Sequence, residues 1–307
     1  MKKKMMMILC SLLALGLLAG CGKKDNGADP LVIYDGQFSE MKIVHQMVKQ
    51  IVEYHTDLTV EIRDEMSPIN NYNDLIAGGG SDLMNSYDGT LLTTYLKKDV
   101  SDVPEGETLY DYANGLALET SQVRLLDKLG SENTYAIGVP QKVADQYNLE
   151  TISDLAEVAP GLIFGAEHEF FSEEGSMKFG PFSKFYNLQF KEAKAIDLAL
   201  KYSAIDSGNI DVTIVYTTDG MNRKVGLKVL EDDQNYFPEY NDALLVRDDL
   251  FERYADTAPD LEEVLNMLGG KFTNEIMTDL TYEVDVNGKT PEEVAKTFLT
   301  AQGLLGS

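Results

Sequence analysis

Short apolar, strand-like runs alternate with helix-spaced runs along the body of this chain. That order restricts the fold more than any other feature. Leu31–Tyr34 reads as a strand. Ser39 is placed to cap a helix over 42–54, in which Ile43, Met47, Val48, Ile51 and Val52 fall on one face. Residues 58–63 alternate apolar and polar side chains, as a half-buried strand does. Residues 73–77 suit a short helix stopped by Gly78-Gly79-Gly80. The run from Ser81 to Tyr95 begins as a buried strand end at Asp82, Leu83 and Met84. It turns through Tyr87-Asp88-Gly89-Thr90 and enters a helix at Leu91. The β-α-β-α order predicts an α/β fold with a mostly parallel sheet. In such sheets ligands collect outside the carboxyl ends of strands, so the stretch around Tyr87 is the predicted binding edge.

The pattern continues in the same style. Residues 108–129 read as a helix with Gly115 inside it, and 134–139 as a strand. Short helices follow over 143–147 and 152–158, then a strand over 162–165 that runs into a loop over 168–175. Helices are expected over 180–186 and 196–205, and a β-branched strand over 210–216. Leu227–Leu230 and Asp242–Arg247 are strands around an acidic, aromatic loop. Helices over 250–254, 261–268, 274–284 and 291–302 close the chain, with Pro291 suited to a first helical position. One sheet builds up to about residue 139, a second to about residue 230, and the chain then returns. Two lobes joined by crossing strands produce this order: 30–134 as the first part of lobe 1, 135–236 as lobe 2, and 237–307 as the return to lobe 1. A cleft between such lobes closes by hinge motion.

The first residues read as an address. Lys2, Lys3 and Lys4 precede an apolar run over 5–18, which is short for a membrane span, and Leu18-Ala19-Gly20-Cys21 follows. A basic start, a short apolar core and small residues before a cleavage point mark residues 1–20 as a secretory leader. The tetrapeptide resembles the bacterial lipobox. That resemblance implies that Cys21 is acylated and leads the mature chain; the alternative is an ordinary leader with an incidental cysteine. Residues 21–29 then make a polar tether. Cys10 is the only other cysteine and lies in the leader, so a disulfide or a cysteine-held metal is not expected. No second long apolar run exists, and the expectation is a chain anchored to the extracytoplasmic face of the cell membrane by lipid.

The formal charge of −25 disfavours nucleic acid and mildly attracts cations, although solubility alone also accounts for it. His45, His55 and His168 are scattered without metal-ligand spacing and read as packing or surface residues. Glu231-Asp232-Asp233 lacks a calcium-loop pattern, and the triple glycine is not followed by Gly-Lys-Ser/Thr. No nucleophile and base are set out for catalysis. Metal, cofactor and enzyme activity are therefore not expected.

An ordered set of motifs carries a resemblance. Asp82-Leu83 is followed by Tyr87-Asp88-Gly89-Thr90. The runs 133–139 (NTYAIGV), 151–155 (TISDL), 164–171 (FGAEHEFF), 207–212 (SGNIDV), 216–220 (YTTDG) and 230–233 (LEDD) come next, then Phe237-Pro238 and a tail with 282–286 (YEVDV) and 290–295 (TPEEVA). The set resembles the osmoprotectant (glycine betaine, choline, carnitine) substrate-binding proteins of ABC importers. The resemblance implies a two-lobe fold of the type II periplasmic-binding-protein kind with a ligand cleft between the lobes. It implies a tyrosine cage at Tyr87, Tyr135, Tyr216 and Tyr240, with Gln37 and Thr90 touching the polar end of the ligand. Its expected partners are a small quaternary ammonium ligand and the importer's permease and ATPase subunits, with the binding protein a monomer. A sensor that signals to a membrane partner, or an enzyme built on the same fold, are the alternatives.

A trimethylammonium group donates no classical hydrogen bond and spreads its charge over methyl surfaces. Aromatic faces offer it negative quadrupole and apolar contact together, each worth roughly 0.5–2 kcal/mol. Several faces suffice for micromolar binding, about −8 kcal/mol. The chain has no tryptophan, so its tyrosines must serve. Asp88 stands where many relatives have threonine; it either adds attraction for a cation or bonds its own turn. Glu173 stands about where many betaine-binding relatives have an arginine that grips a carboxylate. Glu173 would repel a carboxylate, which favours choline or a betaine with a second group that donates hydrogen bonds, unless nearby Lys178 compensates.

Overall fold

The computed structural model describes residues 29–171 and 175–306. The leader, Cys10, Cys21 and Glu173 lie outside the described residues. The chain opens with β1 (Leu31–Tyr34), α1 (Ser39–His55), β2 (Val60–Arg63), α2 (Pro68–Ile76) and β3 (Leu83–Tyr87). Then follow α3 (Asp88–Thr90), continuous with a π-helical turn over Leu91–Tyr95, α4 (Leu109–Ser121) and β4 (Val123–Leu125). The middle of the chain holds β5 (Tyr135–Pro140), α5 (Gln141–Tyr147), α6 (Leu155–Val158), β6 (Ile163–Ala166), α7 (Phe179–Phe185), β7 (Glu192–Ala195), α8 (Lys201–Asp206), β8 (Val212–Tyr216), α9 (Gly220–Lys224) and β9 (Leu227–Leu230). The return is β10 (Asp242–Arg247), α10 (Leu250–Arg253), α11 (Leu261–Asn266), α12 (Asn274–Asp285) and α13 (Pro291–Ala301). No helix among the described residues is long and apolar enough to cross a membrane.

The fold is mixed α/β in two lobes, as expected. One lobe carries the parallel pair β1–β2 and the antiparallel sheet β3-β10-β4. The other carries β7-β6-β8-β5-β9, parallel from β7 to β8 and antiparallel from β8 to β9. The expected mostly parallel sheet is thus corrected to mixed sheets. The physical reason lies in β5 and β10, which follow the segments that cross between lobes and enter each sheet against its neighbours. Glu132 bridges Asn241 in antiparallel fashion, and Asn133 N–H donates to the Tyr240 carbonyl at 3.0 Å, so the two crossing segments lie side by side.

The apolar face of α1 explains its docking. Ile43, Met47, Val48, Ile51 and Val52 are all fully buried against β1, β10 and the C-terminal helices. Each such side chain contributes roughly 1.5–3 kcal/mol of burial. The other lobe has an aromatic core in which Phe164, Phe170 and Phe182 are completely buried and Phe237 stacks on Phe182 at 5.5 Å. Thr290 and Glu293 form a capping box at the start of α13, and Pro291 takes its first turn as expected.

Four local readings are corrected. Ser39 does not cap α1; Phe38 holds the cap position, and the Ser39 hydroxyl donates to Asp285. The run 108–129 is not one helix: Thr108 caps α4, Gln122 turns left-handed at φ 54°, and β4 follows, drawn out by pairing with β10. The helix expected over 196–205 starts only at Lys201 after a 3-10 turn, and the strand β7 just before it is short and mostly exposed. Tyr87 to Thr90 is not a turn before a helix. Tyr87 ends β3 and Asp88 already begins helix.

Candidate functional site

Sheet register brings the tyrosines together. In one lobe β3 and β10 run antiparallel with Asp242 opposite Tyr87. Tyr240, just ahead of β10, therefore lies beside Tyr87, with ring centroids 5.8 Å apart. In the other lobe Tyr135 and Tyr216 are direct partners across β5 and β8, 5.4 Å apart. Tyr135 also meets Phe170 and Phe237 edge-on, which fixes it to the aromatic core. All four rings line one cavity of about 790 Å³ between the lobes, together with Gln37 and Thr90. The structure thus brings together the six side chains singled out from the sequence. Gln37 is exposed at the β1–α1 connection, and Thr90 shares a hydrogen bond of 3.0 Å with the Tyr240 hydroxyl.

Gly89 is required by close approach. A Cβ at that position would lie 2.6 Å from Tyr240 Cζ and nearer still to Cδ2 and Cε2. The Tyr240 ring therefore rests on bare backbone at the start of α3. Asp88 beside it is fully buried and does not line the cavity. It accepts from Gly89 N–H at 2.7 Å, from Asn241 N–H at 2.9 Å and from Asn241 Nδ2 at 2.7 Å. Burial pushes its carboxyl up to about 6, against these donors. Of the two readings of Asp88, the structure matches the structural one.

Glu40 was not legible in the sequence. It sits in the first turn of α1, where an acidic residue is ordinary. Here it is 3% exposed and lies at the floor of the cavity. The Tyr87 hydroxyl donates to its Oε1 at 2.5 Å, and the Thr218 hydroxyl, from the other lobe, donates to its Oε2. Burial raises its pKa above the ordinary carboxylate value, and the charge of Asp219 adds to that, while Thr218, Tyr87 and Asn133 oppose it. Asp242, also fully buried, is pushed well up by burial and by Glu40, with Asn85 and Ser131 opposing. Tyr216 in the other lobe also donates to a buried carboxylate, Glu167, at 3.3 Å. Glu167 has a cation beside it: buried Lys201 lies 3.5 Å from its Oε2 and 5.1 Å from the Tyr216 ring centroid. Burial raises all four phenols above their ordinary value, so each is a neutral ring with a hydroxyl to donate.

The mouth is edged by Lys98, Asp99, Ser176 and Lys178, and the Ser176 hydroxyl donates to Asp99 across it at 3.2 Å. Among the described residues the acidic side chains lining it are Glu40, Asp99, Asp219 and Asp285, and the basic ones Lys98 and Lys178. Among the described residues no group of three or more His, Cys, Asp or Glu side chains is placed to hold a metal ion. His45 is buried between Asp35 and the backbone N–H of Asn85, and His168 is exposed. The site is chemically a neutral aromatic enclosure over buried carboxylates, suited to a small cation.

The sequence matches the family model described as the substrate binding domain of ABC-type glycine betaine transport systems (OpuAC) over residues 29–301. It is 32% identical over 305 residues to the carnitine transport binding protein OpuCC of Listeria monocytogenes, with 97% of each chain covered. It is 30% identical over 275 residues to the ergothioneine transport permease/ergothioneine binding protein EgtU of Helicobacter pylori, covering 90% of this chain and 48% of that one. Among solved structures, a glycine betaine/carnitine/choline ABC transporter protein superposes with a TM-score of 0.78 at 27% identity, covering 90% of this chain and 99% of the other.

Proposed function

Because the chain belongs to the OpuAC family of ABC-transporter substrate-binding domains, we propose that its interlobe cavity captures a quaternary ammonium compound, choline or a betaine, for import. The extracytoplasmic binding protein would hold the trimethylammonium group among Tyr87, Tyr135, Tyr216 and Tyr240, with Gln37 and Thr90 at the polar end. The observation that carries this reading is the convergence of two tyrosine pairs, one from each lobe, on a single cavity. The excess of acids over lysines in the lining favours a ligand of net positive charge, and so choline over glycine betaine. Lobe 1 comprises 30–134 and 237–307, lobe 2 comprises 135–236, and their closure excludes water from the rings and presents one shape to the permease. A monomer held to the membrane through acylated Cys21 completes the proposal.

Isothermal calorimetry with choline, glycine betaine, carnitine and ergothioneine tests it. Choline binding at micromolar strength, with glycine betaine weaker, is the expected result. Tight glycine betaine binding would retain the enclosure and refute the charge argument. Absence of binding by all four would overturn the reading.

A further inference from the structure

The two buried glutamates behind the tyrosines differ in one respect. Glu167, behind Tyr216, has the Lys201 ammonium beside it. Glu40, behind Tyr87, has no ion pair with lysine or arginine among the described residues. The titratable groups that act on it are Asp219 from the other lobe, together with Tyr87 and, from β10, Asp242, whose own pKa Glu40 raises. Two buried acids therefore stand under the Tyr87 side of the cavity with no lysine or arginine ion-paired to them among the described residues. A carboxylate left so is costly, and a partner of opposite charge in low dielectric is what relieves that cost. The cavity directly above is where such a partner enters.

We propose that Glu40 is the countercharge of the bound cation, acting through the Tyr87 hydroxyl that it accepts and tying that ring to Thr218 of the opposite lobe. This rests on the quaternary ammonium reading and deepens it. Glu40 is a positioning and specificity residue: its charge enriches the ring face that meets the ligand, and its two oxygens join the lobes. The site then recognises charge as well as shape.

The test compares choline with its neutral isostere 3,3-dimethylbutan-1-ol, in which carbon replaces the nitrogen. Calorimetry on the purified full-length chain should give a preference for choline. A unit charge acting over the length of one tyrosine ring at an intermediate dielectric amounts to roughly tenfold in affinity. Glu40→Gln is expected to lower choline affinity by roughly that factor while leaving the isostere within twofold. Glu40→Asp, which keeps the charge, should retain most of the preference. Glu61→Gln, at an exposed position in β2 far from the cavity, changes the net charge equally and should leave the preference unchanged. If Glu40→Gln does not fold, Tyr87→Phe keeps the ring and removes the hydroxyl bridge, and it should lower the preference alone. A parallel loss of both ligands in these variants would reduce Glu40 to packing and overturn the inference. An unchanged choline preference would overturn it too. If the wild-type chain binds neither ligand, the functional reading itself fails.

Discussion

Gly89→Ala tests the enclosure through its support. The added methyl would lie 2.6 Å from Tyr240 Cζ. Carbon atoms settle at about 3.5–4.0 Å, so Cζ must retreat by about 1 Å and the near edge of the ring by more. Gly89 lies within a helix that starts at Asp88 and is continuous with Leu91–Tyr95, and Leu91 and Leu92 are fully buried, so the backbone is not free to yield instead. The ring therefore moves, away from its place 5.8 Å from Tyr87 and from its bond to Thr90. Losing one aromatic face costs roughly 0.5–2 kcal/mol, which is about two- to thirtyfold in dissociation constant. Overpacking costs a further ~1–3 kcal/mol of stability, a fall of several degrees in melting temperature. Calorimetry with choline and thermal unfolding of the same preparation read both quantities. Tyr240→Ala supplies the reference for complete loss of the ring. If Gly89→Ala binds within twofold of wild type while Tyr240→Ala has lost binding, the ring has not been displaced and the steric reasoning is refuted.

Tyr216→Ala removes a ring from the other lobe and should weaken choline binding at least about tenfold; unchanged affinity by calorimetry would take Tyr216 out of the enclosure. Lys201→Met leaves Glu167 buried beside no cation and should cost roughly 3–5 kcal/mol in urea unfolding, with Lys201→Met/Glu167→Gln recovering much of it; equal losses in the two would refute the pairing. Asp88, with its carboxyl at about 6 against an ordinary 3.8, binds its proton more tightly when folded. Its contribution, roughly 3 kcal/mol, is present below pH 4 and lost as the pH rises through 6. Glu40 and Asp242 shift in the same direction. The melting temperature should therefore rise from pH 8 to pH 5, and a fall over that interval would contradict these shifts.

Several elements were legible in the order of apolar residues alone. Strands β1, β9 and β10 occur where their apolar runs lie, because an alternating or continuous apolar segment has few other ways to leave water. The family resemblance also pointed to six side chains, Tyr87, Tyr135, Tyr216, Tyr240, Gln37 and Thr90, that line the cavity. Local patterning failed where tertiary pairing overrode it. Residues 123–125 follow on from a helical pattern yet extend as β4, because β10 offers them a ladder. The tertiary structure alone decided the electrostatics of the site. Glu40 meets Thr218 across 178 positions of sequence and Tyr87 across 47, so nothing near Glu40 marks it as buried. The same holds for Gly89 under Tyr240, which α3 and the second crossing segment bring together. Desolvation and close approach depend on which distant segments share a space, and a chain reveals that only once it has folded.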